Sequence, residues 1–276
     1  MTLIISPKKV AKFLTCVVAS IAALGSAAEW VKESTATWSH HGVTVLAEKF
    51  VLDSELSLPA WYSSIAIFAC AAVLGLIAWF KHRSHSAFAR HWTGLAVIFV
   101  LMSFDEMVGM HEMLIEPLRR YLGAHGIFHY AWVIPACVFV AGFAIAYLRF
   151  VFVHLDSRTR WRFVAAGVIY VGAALGMEMV EGPIDETYGV ASLPAQTAVT
   201  IEETVEMLGI VYFLYALLCC VGELRVQIAG VTASANGVTD RNKSVSQGGV
   251  SESDLAFFCG EPESREEFAE AGLGQR

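Results

Sequence analysis

Five polar or ionisable side chains follow one apolar run: Ser103, Asp105, Glu106, His111 and Glu112 come after the stretch 92–102. A charged side chain at the centre of a bilayer costs roughly 2.5–3.5 kcal/mol on insertion scales, so such groups are rare and usually functional. Three further clusters carry the same chemistry. Glu178 and Glu181 end a second apolar run, Glu202, Glu203 and Glu206 lie at the start of a third, and His125 and His129 precede a fourth. Mixed carboxylates and imidazoles suit iron, manganese or zinc, so the expected cofactor is a divalent transition metal. The candidate ligands are Asp105, His111, Glu112, Glu178, Glu181, Glu202, Glu206, His125 and His129; Glu106 and Glu203 are candidate catalytic bases.

These residues need a scaffold, and composition names it. Hydrophobic residues make up 56% of the chain and charged ones only 16%, against about 25% in soluble domains. The excess lies in long apolar runs, which predicts an all-α, polytopic transmembrane helix bundle of about six spans. Residues 1–28 read as a first transmembrane helix or a cleaved signal peptide, since Lys8, Lys9 and Lys12 precede a short apolar core and Gly25-Ser26-Ala27 resembles a cleavage site; the retained helix is preferred. Residues 29–58 form an outer loop, with a short amphipathic turn expected over 46–52. Residues 59–222 form a five-helix bundle with spans at 59–80, 92–113, 130–152, 163–181 and 198–222. Within it Pro135 and Gly142 are kink or close-packing points, Gly182-Pro183 ends the fifth span, and Gly167, Gly172 and Gly176 suit close helix contact. Residues 223–276, rich in Ser, Gly, Asn and Glu, read as a disordered cytoplasmic tail.

Loop charge orients the bundle. Lys8, Lys9, Lys12, Lys81, Arg83, Arg90, Arg149, Arg158, Arg160 and Arg162 fall on one side, against Lys32, Lys49, Arg119 and Arg120 on the other. The positive-inside rule then puts both termini in the cytoplasm and all four acidic or imidazole clusters at one level near the outer leaflet. On a continuous helix Asp105 and Glu112 share a face but stand roughly 10 Å apart along the axis. The stretch is therefore one wall of a chamber, completed by Glu178/Glu181 and Glu202/Glu203/Glu206. Such acids in a low dielectric cannot all be ionised; protons, a bound cation or water must accompany them. The plainer reading makes Glu112, Glu202 and Glu203 interfacial anchors and His125 and His129 solvated loop residues. The six cysteines contain no C-x-x-C pair and read as small apolar residues.

Ser103-x-Asp105-Glu106-x4-His111-Glu112, with Glu203-x2-Glu206-Met207-x-Gly209 later, resembles a pattern in uncharacterised bacterial multi-span membrane proteins. The resemblance covers spans two to six and implies a shared fold and site in a bacterial inner membrane, with no assigned reaction. Four helices offering Glu and His are also similar to di-iron carboxylate bundles, but no Glu-x-x-His occurs anywhere in the chain. Three functions remain: a metal-dependent enzyme acting on a lipid or hydrophobic small molecule, a cation- or proton-coupled transporter, and a structural or assembly subunit. Membrane lipid and further copies of the chain are the expected partners. The net charge of -7 leaves no footprint for nucleic acid.

Overall fold

The structure, a computed structural model, describes residues 2–4, 6–35, 41–54, 56–221 and 225–227. Helices α1 (Pro7–Thr35) and α2 (His41–Glu48) are followed by α3 (Leu58–Arg83) and α4 (Ala89–Val108). Next come α5 (Glu112–Leu122), a 3-10 turn at Gly126–Phe128, and α6 (Val133–Arg149), which continues as a π-helical turn at Phe150–His154. The last three helices are α7 (Ser157–Ala174), α8 (Gly176–Tyr188) and α9 (Leu193–Val221). Among the described residues six helical segments are long and apolar enough to cross a membrane: α1, α3, α4, α6 with its π turn, α7 with α8, and α9. The chain is an all-α polytopic bundle. Thr2–Ile4 pairs antiparallel with Arg225–Gln227, so the residues flanking the first and last spans meet at one end. Most of the expected tail, 228–276, lies outside the described residues.

Local chemistry explains several boundaries. Ser57 caps α3, its hydroxyl accepting the Ala60 N–H at 3.2 Å, with Pro59 in the first turn and Lys81, His82 and Arg83 in the last. Asp156 caps α7 by accepting the N–H groups of Arg158 and Thr159 at 2.9 and 3.2 Å, so that helix starts earlier than its apolar core at residue 163. The short surface helix falls at α2, ahead of the expected turn at 46–52. Pro135 sits in the first turn of α6, where its missing N–H has no helical acceptor to lose, and the irregularity of that span comes instead at its far end. There the π turn buries Phe150 against Trp92, the ring centroids 5.1 Å apart and nearly perpendicular.

Two sequence expectations are corrected. Gly182-Pro183 does not end the fifth span: α8 runs through Pro183 to Tyr188, and the interruption comes earlier, at Leu175 beside Gly176. Gly167, Gly172 and Gly176 face open space; the close approach is made by Gly209, where an added Cβ would lie 3.1–3.2 Å from the Tyr170 backbone. A repeating small-residue spacing says nothing about which neighbour the stripe will meet.

The main core joins α3 (Ile67, Cys70, Leu74), α4 (Trp92), α7 (Phe163, Ala166) and α9 (Ala216, Leu217). A second cluster packs Val18 and Ile21 of α1 on Met207 and Val211 of α9, with Leu52 from the connecting loop. Toward the other end, α3 and α4 are clasped by two buried serines: the Ser64 hydroxyl donates to the Ser103 carbonyl at 2.7 Å and the Ser103 hydroxyl to the Ser64 carbonyl at 2.8 Å. Ser103 therefore belongs to the α3–α4 clasp. Hydrogen bonds between membrane helices contribute about 0.6 kcal/mol each on average and up to about 1.7. Ser103→Ala and Ser64→Ala are each expected to lower stability by about 1 kcal/mol and to add in the double variant, because each removes a bond to a backbone carbonyl that the other substitution leaves in place. Unfolding in mixed micelles of the single and double variants measures this.

Candidate functional site

The clusters that the sequence separates meet at one end of the bundle. Asp105 and Glu106 stand in the last turn of α4, and His111 and Glu112 at the start of α5. Glu178 and Glu181 lie on α8; Glu202, Glu203 and Glu206 lie on α9.

The stretch 103–112 is not one continuous helix. Gly109 adopts the left-handed conformation (φ 62°, ψ 39°) that ends α4 and suits a residue without Cβ, and α5 begins at Glu112. The face shared by Asp105 and Glu112 therefore does not exist. The reversal instead folds His111 back onto Asp105: its backbone N–H donates to Oδ1 at 3.1 Å, and its Nδ1 meets Oδ2 at 2.8 Å. Burial works against protonation of His111, but the Asp105 bond and the nearby charges of Asp105, Glu178 and Glu112 outweigh it and raise its pKa. With Nδ1 bound to Asp105, Nε2 is the nitrogen left for another partner, as in metal sites where a carboxylate orients an imidazole.

Beyond His111 the network continues through neutral donors. The Trp132 ring packs against His111 with centroids 4.6 Å apart, and its indole N–H donates to Glu178 Oε2 at 2.6 Å. Ser63 of α3 is a hydrogen-bond partner of Glu106. Glu181 and Glu202 are buried, at 3% and 8% exposure, and hydrogen-bond to each other through their carboxyl groups. Such a contact requires at least one proton between them, because two carboxylates are acceptors only. The second oxygen of Glu181, Oε1, is buried without a partner among the described residues. Glu203 and Glu206 lie close enough to Glu106 and Tyr170 to interact electrostatically. Among the described residues no lysine or arginine forms an ion pair with Glu106, Glu178, Glu181, Glu202, Glu203 or Glu206.

The loop histidines have other engagements. His129 Nε2 meets Arg119 at 2.9 Å and its Nδ1 meets Glu186 at 3.0 Å. Arginine can only donate, so Nε2 accepts and Nδ1 carries the proton; neither nitrogen is left for a metal. Glu186 also accepts the Gly126 N–H, in a corner where a Cβ on Gly182 would collide with the Gly126 carbonyl and His129. His125 is exposed just before the 3-10 turn. Among the described residues no three His, Cys, Asp or Glu side chains form a ready-made metal-binding group.

Four participants escaped the sequence reading. Asp185 accepts a hydrogen bond from the Tyr130 hydroxyl, and burial together with that bond raises the Tyr130 pKa. Asp185 was legible in principle, since Glu178, Glu181 and Asp185 follow i, i+3, i+7 spacing on one helix face. Trp132 and Asp53 carried no such signal, being placed by loops. Asp53 lies where water reaches it but protein crowds its carboxyl. That burial, with the charges of Glu112, Glu181, Glu29 and Asp185, raises its pKa from 3.8 to about 7.

The sign of the Asp53 effect follows from linkage. Between about pH 4 and pH 7 the folded chain holds the Asp53 proton more tightly than the unfolded chain, so this group makes stability fall as pH rises through that window and become flat above it. Asp53→Asn is therefore expected to raise the thermal midpoint at pH 8 and leave it unchanged near pH 4. Thermal unfolding in detergent, followed by tryptophan fluorescence at both pH values, checks the difference.

The chain has no match among curated proteins or among solved structures. A family model does match, over residues 11–221, which includes all six candidate spans in whole or large part and every acidic cluster described above. The chain therefore belongs to the family described as a domain of unknown function, DUF8692.

Proposed function

We propose that the acidic end of the bundle is a cation-exchanging chamber, holding protons when empty and a divalent transition metal (iron, manganese or zinc) when loaded, in a metal-dependent enzyme acting on a lipid or other hydrophobic molecule. The observation that carries this reading is the buried carboxyl pair Glu181–Glu202, set among acids that no described basic side chain neutralises. Metal entry displaces protons from such a site, so affinity rises with pH. His111 would supply a ligand through Nε2, with Glu112, Glu178, Glu181, Glu202 and Glu206 as carboxylate donors. Asp105 would then orient His111 through its Nδ1 bond. Glu106 and Glu203 would take a proton from water or substrate. The loop-charge bias supports a chamber at the outer face of a bacterial inner membrane.

A second reading, a proton- or cation-coupled transporter, is favoured by the same carboxyl pair, because a shared proton between buried acids is what coupling requires. One set of measurements separates the two. Purified full-length protein, reconstituted with each metal, is expected to retain it stoichiometrically, to release protons on loading, and to lose most of it in a Glu181→Gln/Glu206→Gln variant. Failure to retain any of the three metals would defeat the enzyme reading. Proteoliposome flux abolished by Glu181→Gln would then establish transport.

A further inference from the structure

A lateral groove of about 510 Å³ opens between α1, α7 and α9, running from Lys8 and Tyr215 at the end away from the acids to Val205, the neighbour of Glu206. That volume lies within the roughly 300–1,000 Å³ of small-molecule sites. Its walls are apolar along most of their length, lined by Ile169, Val205 and Leu208, with Lys8, Lys12, Tyr212 and Tyr215 toward the other end. Neither lysine forms an ion pair with any described residue. Arg162 adds a third cation, its guanidinium 5.5 Å from the centroid of the Tyr215 ring.

Helical rise fixes the length of this groove. From Tyr215 to Val205 is about 15 Å along α9, and from Lys8 to Thr15 about 10 Å along α1. The groove thus runs from the headgroup level to about the middle of a 30 Å hydrocarbon core, the depth of one leaflet. Cations and tyrosines at one end of an apolar slot complement a phospholipid: phosphate at the lysines, acyl chain against Leu208 and Ile169. Two lysines with no ion-pair partner among the described residues, beside an arginine, select a headgroup of net negative charge.

We propose that this groove is a binding site for one anionic phospholipid of the leaflet at the basic end of the bundle. Native mass spectrometry of the full-length protein, given phosphatidylglycerol or phosphatidylcholine, tests it. The wild type is expected to retain phosphatidylglycerol about tenfold better than phosphatidylcholine. Lys8→Gln/Lys12→Gln should erase that preference, whereas Lys9→Gln, whose side chain is exposed and does not line the groove, should keep it. Thr15→Trp, which fills the slot without touching the cations, should expel both lipids. Equal retention of the two lipids by the wild type, or a preference that survives the double lysine variant or Thr15→Trp, would overturn the proposal. A lipid-free dimer that Thr15→Trp dissociates would overturn it too, by showing a second copy in the groove.

Discussion

The constraint on which the acidic end depends is electroneutrality in a low-dielectric setting. Glu106, Glu178, Glu181, Glu202, Glu203 and Glu206 are brought together by α4, α8 and α9 with no described lysine or arginine paired to them. The nearby arginines are committed elsewhere: Arg119 and Arg120 both hold Glu116, and Arg119 also reaches His129. What the fold supplies to the acids is hydrogen-bond donors: Ser63 at Glu106, the Trp132 indole at Glu178, the Tyr130 hydroxyl at Asp185. Neutral donors satisfy lone pairs but leave net charge in place. The remaining charge has to be met by protons, a cation or water, and the buried Glu181 and Glu202 carboxyl groups, which interact with each other, are where a shared proton is best accommodated.

Two backbone features make the gathering possible. The left-handed Gly109 stops α4 six residues beyond Ser103, so the serine clasp holds the helix while the chain reverses and returns His111 to Asp105. The interruption at Leu175 lets α8 leave the line of α7 and continue to Tyr188, carrying Glu178, Glu181 and Asp185 on one stripe toward α9 and the turn before α6. The opposite end is built from aromatic contacts around Phe150 and carries Lys8 and Lys12, which form no ion pair with any described residue. The buried acids thus gather away from those two lysines, with Arg119 and Arg120 held by Glu116. That separation suits both a chamber for a cation and an independent seat for an anionic lipid.

The spans were readable because they rest on composition summed over twenty or more residues, and a run such as 130–152 leaves little alternative in a bilayer. The convergence of Asp105, Glu178, Glu181 and Glu202 was readable for a related reason: with spans alternating in direction, residues near corresponding span ends must share a level. The breaks were not readable. Nothing in 103–112 announces that Gly109 reverses the chain rather than riding inside a helix, and Pro183 looked like a terminator although α8 passes through it. Local propensity for glycine and proline is worth about 1–3 kcal/mol, which contacts such as the Gly182 corner and the Tyr130–Asp185 bond can override.

By itself, the sequence determined the class of the molecule and its candidate spans, because hydrophobic transfer energy is additive along a chain and needs no knowledge of neighbours. Only the tertiary structure decided who partners whom. It gave Asp105 to His111 instead of Glu112, committed both nitrogens of His129 to Glu186 and Arg119, brought Asp53 and Trp132 in from loops, and paired Glu181 with Glu202. The bonds of His111, His129 and Trp132 among these are directional interactions at 2.6–3.1 Å. Their geometry depends on helix ends and crossings that no single segment contains.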